Sequence, residues 1–289
     1  MKDLRTFTLN NGKKIPSFGI GVFTLTSKEA YDSVRYALDI GIRHIDTANA
    51  YFNEEAVGKA IKDSGVKRED IFLTTKLWPG CFYKGYQAIQ DSLDRLGLDY
   101  IDLLLLHQPT GEYMVAYKAM EEAVKKGTVR SIGLSNFDGA NLNRYDEVLS
   151  KATIVPALMQ VEAHPYFPQH ELKKKLAKTH TLLEAWYPLG HGDKALLQEP
   201  VFVELGKKYH KSTAQIILRW HIQDGNVIFP ASRNHKHIKQ DFDIFDFGLT
   251  EEEMKKIASL DKEKRYYIAN KEMLEAWGQK DSFDLFHKA

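Results

Sequence analysis

The chain has 289 residues, 43% of them hydrophobic and 27% charged, an ordinary globular profile long enough for one large core. A formal charge of +1 gives no global field that favours a nucleic-acid or membrane partner. The one cysteine, Cys81, excludes an intrachain disulfide and a cysteine-cluster metal site, and no apolar run approaches the ~20 residues needed to span a bilayer.

The N-terminus lacks the apolar core of a signal peptide, so a cytoplasmic location is expected. Residues 5–18, RTFTLNNGKKIPSF, alternate and turn at Asn-Gly as a β-hairpin does. Short apolar runs then follow in order: FGIGVF, RHIDTA, IFLTTKLW, IDLLLLH, VRSIGLS, ALMQVE, LLEAWYPL and VIFPAS. Amphipathic pieces such as SKEAYDSVRYALDIG, NEEAVGKAIKDSG, GYQAIQDSLDRLG and GEYMVAYKAMEEAVKKG separate them, closing on Gly41, Gly65, Gly97 and Gly127. A left-handed helix end costs least at glycine. Eight β-type runs alternating with helices predict an α/β fold, an eight-stranded parallel (β/α)8 TIM barrel forming a single domain over 1–289. A doubly wound open sheet is the rival, but it needs a glycine fingerprint after its first strand. GIGVFT offers Gly19 and Gly21 and no third glycine.

Asp46, Lys76, His107, Ser135 and Gln160 each fall at the C-terminal end of a run, spaced 30, 31, 28 and 25 residues apart. A barrel brings all such ends to one rim. Tyr51 lies five residues past Asp46, in the loop before a helix starting near Asn53, which sets its hydroxyl over the barrel mouth. This set suits proton donation to a carbonyl oxygen. A free tyrosine titrates near ~10, and lowering that by about three units requires roughly 4 kcal/mol of differential interaction. The Lys76 ammonium pulls in that direction, and Asp46 keeps the lysine charged against desolvation. A neutral, donating His107 orients the substrate oxygen and shares its developing charge. No metal is required. A metal-dependent hydrolase barrel is an alternative: His44 and Asp46, two apart on one strand, share a face, and His107 or His164 would complete a ligand set. Cys81, five residues past Lys76, reads as a loop thiol near the rim.

GIRHIDTANAYFNEEAVGKAI, TTKLWP, LLLLHQP, GLSNF, MQVEAHPY, AWYPLG and IFPASRNHKHIKQDFDIFDFGLTEEEM together resemble the aldo-keto reductase superfamily, in order, from about residue 5 to 265. The resemblance implies reduction of an aldehyde or ketone to an alcohol, with a nicotinamide cofactor extended across the C-terminal rim and a hairpin plugging the barrel's other end. It implies a catalytic tetrad of Asp46, Tyr51, Lys76 and His107, with Tyr51 as general acid. Ser135, Asn136 and Gln160 match the residues that hold the nicotinamide carboxamide, with Phe23 and Asp46 beside the cofactor. Trp186 falls where an aromatic stacks on the nicotinamide, and Leu189 and Gly190 match the pyrophosphate loop. Pro230 to Asp241 matches the 2′-phosphate and adenine site, through Ser232, Arg233, His237, Gln240 and Asp241. Where many members have Lys-Ser and a later Arg, this chain has Ala231-Ser232 and His237, so Arg233 is expected to supply the bidentate phosphate contact, with Lys236 adding charge. NADPH (NADP+) is the expected cofactor.

Phe23 and Trp78, with His107 and Gln108, are expected to wall the substrate pocket; some relatives carry tryptophan in place of Gln108. The tail, 266–289, holds Met273, Trp277, Phe283 and Phe286. It either docks over the mouth as a specificity loop or anchors on the outer helices. The resemblance implies a small-molecule carbonyl compound as the partner, and the chain is expected to be a monomer or a weak homo-oligomer. A non-catalytic NADPH-binding sensor or regulatory subunit on the same fold is the functional alternative.

Overall fold

The computed structural model describes residues 5–280. The chain opens with an antiparallel hairpin, β1 (Thr6–Thr8) and β2 (Lys14–Pro16), in the register Phe7 opposite Ile15. Its turn closes with the Leu9 N–H donating to the Lys13 carbonyl at 2.8 Å, and Gly12 supplies the positive φ of +81° that the turn needs.

Eight parallel strands follow: β3 (Ile20–Gly21), β4 (His44–Asp46), β5 (Phe72–Leu77), β6 (Leu103–Leu106), β7 (Ile132–Ser135), β8 (Leu158–Glu162), β9 (Leu182–Trp186) and β10 (Val227–Ile228). Each pairs with its sequence neighbour. The ring closes where the Gly19 N–H donates to Ile228 O at 2.7 Å and the Ile228 N–H to Ser17 O at 2.9 Å. Every one of the eight apolar runs became a strand of this predicted barrel.

The helices are α1 (Ser27–Asp39), α2 (Glu54–Asp63), α3 (Tyr86–Leu96), α4 (Tyr113–Lys126), α5 (Leu142–Lys151), α6 (His170–Ala177), α7 (Lys194–Leu197), α8 (Pro200–Tyr209), α9 (Thr213–Gln223), α10 (His235–Phe242), α11 (Glu251–Ala258) and α12 (Lys271–Trp277). Three start on capping boxes, Thr26 with Glu29, Ser212 with Gln215 and Thr250 with Glu253, each satisfying two otherwise orphaned backbone N–H groups. Among the described residues, no helix is long and apolar enough to cross a membrane.

Side-chain parity divides the interior. Leu103 and Leu105 face into the barrel, packing with Phe72, Leu158, Val227 and the hairpin residues Leu9 and Ile15, whereas Leu104 and Leu106 join the layer between strands and helices. Thr75 likewise points outward, its hydroxyl donating to Glu54 of α2 at 2.6 Å. The hairpin therefore plugs the N-terminal end of the barrel with hydrocarbon. Toward the C-terminal end the inward positions turn polar: His44, Asp46, Thr74, Lys76, Gln160 and Glu184 are all buried.

Candidate active site

Lys76, on β5, is fully buried, and its ammonium donates to Asp46 Oδ1 at 2.5 Å and to the Thr47 carbonyl at 2.9 Å. Register accounts for the pair: Asp46 lies opposite Thr74, so inward parity carries Lys76 one step above it. The third Lys76 contact is the Tyr51 hydroxyl, at 3.4 Å. Tyr51 rides a short 3-10 turn, Asn49–Tyr51, that ends at Phe52 in the left-handed region. Asn49 anchors that turn to the neighbouring loop, accepting from the Trp78 N–H at 3.0 Å and donating to Cys81 Sγ at 3.3 Å.

His107 follows directly after β6, its backbone N–H donating to Leu77 O at 2.9 Å. Its ring stands edge-on to Tyr51, with centroids 5.6 Å apart, and to Trp78, at 5.2 Å. The four residues separated in sequence thus meet in one place at the rim.

Electrostatics refine the expectation. Burial favours the neutral amine of Lys76, but Asp46 and Tyr51 outweigh it and hold the pKa above its ordinary value. Burial raises Asp46 against the opposing pull of Lys76 and Gln160. Burial and then the Lys76 charge drive His107 well below the usual imidazole range, which keeps the ring neutral. Tyr51 departs from the sequence expectation. Its phenol is pushed up to about 12, because burial outweighs the lowering by Lys76. The expectation weighed the cation and left out the dry surroundings of the hydroxyl.

The positions beyond the tetrad divide into two groups. Gln160 donates through Nε2 to Asp46 Oδ2 at 2.8 Å and to Glu184 Oε2 at 2.7 Å. Asn136, with φ +66°, donates to the His107 carbonyl at 3.0 Å and to Ser135 Oγ at 3.1 Å, and accepts from Trp186 Nε1 at 3.0 Å. Ser135, Asn136, Gln160 and Trp186 are therefore joined to the tetrad by hydrogen bonds. Leu189 and Gly190 follow β9 into a 3-10 turn, Gly190–Gly192, and Asp193 beyond it accepts from Lys264 at 2.8 Å and from the Tyr266 hydroxyl at 2.5 Å.

Ser232, Arg233, His237, Gln240 and Asp241 form a separate group after β10, on α10 and the turn that precedes it. Asn234 caps α10 by accepting from the Lys236 N–H at 2.9 Å. Arg233 is 74% exposed and pairs with Glu29 of α1 at 3.0 Å. Burial pushes Asp241 up to about 7.

Trp78 is buried against His107, while Phe23 is 46% exposed and lies over Tyr51 with centroids 4.9 Å apart. Gln108 is buried next to His107. The described part of the tail lies over the mouth: Trp277 of α12 meets Trp78 at 5.2 Å, and the Thr110 hydroxyl donates to Leu274 O at 2.8 Å. Phe283 and Phe286 lie outside the described residues.

The hydrolase constellation does not assemble. His44 Nε2 lies 3.0 Å from Thr74 Oγ1, and His164 Nε2 lies 3.1 Å from Glu162. Asp46 is engaged by Lys76 and Gln160, and no group of three or more His, Cys, Asp or Glu among the described residues is arranged to hold a metal ion. The Cys81 thiol is buried and pushed up to about 11, mainly by burial, so it is not a reactive thiolate.

Sequence reasoning missed Asn49 and Glu184. Asn49 carries no distinguishing pattern. Glu184 does carry one: it is an acid inside an apolar run, at the parity that faces the barrel interior.

A (β/α)8 barrel with a phenol, an ammonium, a carboxylate and an imidazole converging on its C-terminal rim defines a class of enzyme built for proton transfer at a barrel mouth. The model of the Aldo/keto reductase family matches residues 17–262, and the chain belongs to that family. It is similar to methylglyoxal reductase DkgA of Escherichia coli strain K12, at 40% identity over 89% of this chain and 94% of that protein. It is also similar to a glyoxal reductase of Bacillus subtilis, at 43% identity over 90% of this chain and 94% of that protein. Among solved structures, an aldo/keto reductase from Brucella melitensis superposes with a TM-score of 0.84 at 43% identity, over 89% of this chain and 99% of that one. The chain is accordingly an oxidoreductase acting on carbonyl groups, in a family that uses nicotinamide cofactors.

Proposed function

We propose that the chain reduces a small aldehyde or ketone with NADPH, and that Tyr51 delivers the proton. The observation that carries this reading is the contact of the buried Lys76 ammonium with both Asp46 and the Tyr51 hydroxyl. At neutral pH Tyr51 holds its proton, and a nascent alkoxide is basic enough to take it. The phenolate left behind is stabilised by Lys76, whose own charge Asp46 secures. Neutral His107 serves as a donor to the carbonyl oxygen, and its buried Nδ1 has no partner among the described residues. When bound, the nicotinamide supplies a hydride to the carbonyl carbon.

The residues fit that group. The Ser135 oxygen accepts from Asn136, which leaves its own proton to donate to a carboxamide oxygen. Gln160 spends its nitrogen on two carboxyl groups, which leaves its oxygen to accept from a carboxamide N–H. Trp186, held by Asn136, offers a flat face, and Leu189 with Gly190 begins the turn that follows β9. Arg233 and Lys236 place positive charge around the start of α10, with the His237 side chain on the same helix, which favours the 2′-phosphate of NADPH. Small aldehydes of the kind named for its relatives are the first substrates to test.

Tyr51→Phe is expected to slow reduction by ~10²–10⁴-fold while the NADPH dissociation constant, followed by fluorescence, stays within about twofold. Near-normal turnover in this variant overturns the assignment. The cofactor preference is checked separately. The Michaelis constant for NADPH should lie below that for NADH by about tenfold, as expected for a charge-assisted phosphate contact. Equal or better use of NADH removes the preference.

A further inference from the structure

Glu184 is an acid that the proposed reaction does not use. It is fully buried on β9, directly opposite Gln160 of β8 in the sheet register. Its Oε2 accepts from Gln160 at 2.7 Å, and its Oε1 has no hydrogen-bond partner among the described residues. The basic nitrogen recorded within 4 Å is His44 Nε2 at 3.6 Å, and burial pushes that imidazole down to about 3, so it is neutral. The Lys76 ammonium acts on the carboxyl only from beyond ion-pair range and is outweighed by burial, and an acid so placed weakens a fold. Stability therefore does not account for a carboxyl group here.

Geometry accounts for it. A side-chain amide has two N–H donors on one branch and a carbonyl oxygen on the other. Gln160 Nε2 meets Asp46 Oδ2 at 2.8 Å, an acid 114 residues away on the far strand β4, and Glu184 at 2.7 Å on the adjacent strand. The two acceptors use both N–H donors and leave the oxygen free of either acid. Burial and the nearby Asp46 push Glu184 up to about 8, so near neutrality it is protonated. The proton belongs on the unpartnered Oε1, since Oε2 is accepting, and the arrangement holds in either protonation state.

We propose that Glu184 is a positioning residue for cofactor recognition: by accepting the second N–H of Gln160 it fixes that amide with its oxygen presented to the carboxamide of the nicotinamide. The inference rests on the reading of Gln160 as a carboxamide holder. Without Glu184, one N–H of Gln160 has no acceptor and the amide is free to turn about its last torsion. The loss falls on ligands with an N–H to offer and spares those without one.

The test measures binding of NADP+ and of its 3-acetylpyridine analogue, which lacks the carboxamide N–H groups, by titration calorimetry. Glu184→Met keeps the shape of the side chain and removes the acceptor. It should weaken NADP+ by about fivefold, the scale of one neutral hydrogen bond, and change the analogue by less than about twofold. Glu184→Gln retains an acceptor oxygen and should bind both ligands as the native protein does. Should Glu184→Met fail to fold, Glu184→Leu poses the same question. Unchanged NADP+ binding, or equal weakening of both ligands, overturns the inference. Gln160→Leu separates the two levels. If it leaves NADP+ binding intact, the reading of Gln160 itself falls; if it weakens NADP+ while Glu184→Met does not, the role of Glu184 alone is refuted.

Discussion

The lower and upper interiors of the barrel are built by the same strands at the same inward parity, yet their contents are opposite. β5 contributes Phe72 to the lower layer, then Thr74 and Lys76 to the upper; β8 contributes Leu158, then Gln160; β9 contributes Leu182, then Glu184. The lower layer is sealed by Leu9 and Ile15 of the hairpin and gains from leaving water. The upper layer holds an ammonium, two acids and an amide out of water, a loss that each group recovers only through partners reached from other strands. One end supplies stability and the other spends part of it on chemistry.

Substitutions can test that division. The largest effect should come from Lys76→Met, which removes the charge partner of Tyr51 and is expected to lower the single-turnover rate of reduction by ~10²–10⁴-fold, read by rapid mixing. A loss of only a few-fold would mean that the phenol does not depend on the ammonium. Next in size, Leu105→Ala in the lower layer should cost ~2–5 kcal/mol in urea unfolding while turnover per folded molecule is kept. If turnover falls in proportion, the two layers are not separable.

The smallest effect per group concerns the buried imidazoles. Burial lowers His44 and His221 to about 3 from 6.5, and His107 also lies well below 6.5. Below 6.5 the unfolded chain takes up protons that the folded chain refuses. Their contribution is complete above that pH and is lost as pH falls toward the folded values. Each imidazole should lower stability by roughly 0.7 kcal/mol between pH 7 and pH 6, measured from urea midpoints at constant ionic strength. Glu184 and Asp241, raised mainly by burial to about 8 and about 7, take up protons in the same window with the opposite sign. The test therefore compares the pH slope of the native protein with that of His221→Asn, and an unchanged slope would show that the imidazole charges within the fold.

Much of this architecture can be read from residue order because a parallel barrel joins strands that are neighbours in sequence. The apolar runs locate the strands, and the polar residue ending each run marks the rim. Glycines at 41, 65, 97 and 127 mark helix ends, and all four have positive φ. Four consecutive leucines on β6 hide which two face the barrel, since parity shows only where apolar and polar residues alternate. The tail was equally ambiguous: its aromatic residues suit either a mouth or an outer helix, and the contact of Trp277 with Trp78 decides for the mouth.

Sequence alone determined the strand count, the order of the strands around the ring and the four side chains that end near one another, because local patterning and sequential pairing are properties of short stretches of chain. Tertiary structure alone decided that the Gln160 amide crosses the barrel to Asp46, that Glu184 braces it, and that the Tyr51 phenol keeps its proton to about 12. Those outcomes depend on closure and on the exclusion of water, which act between residues too far apart along the chain for any local pattern to record.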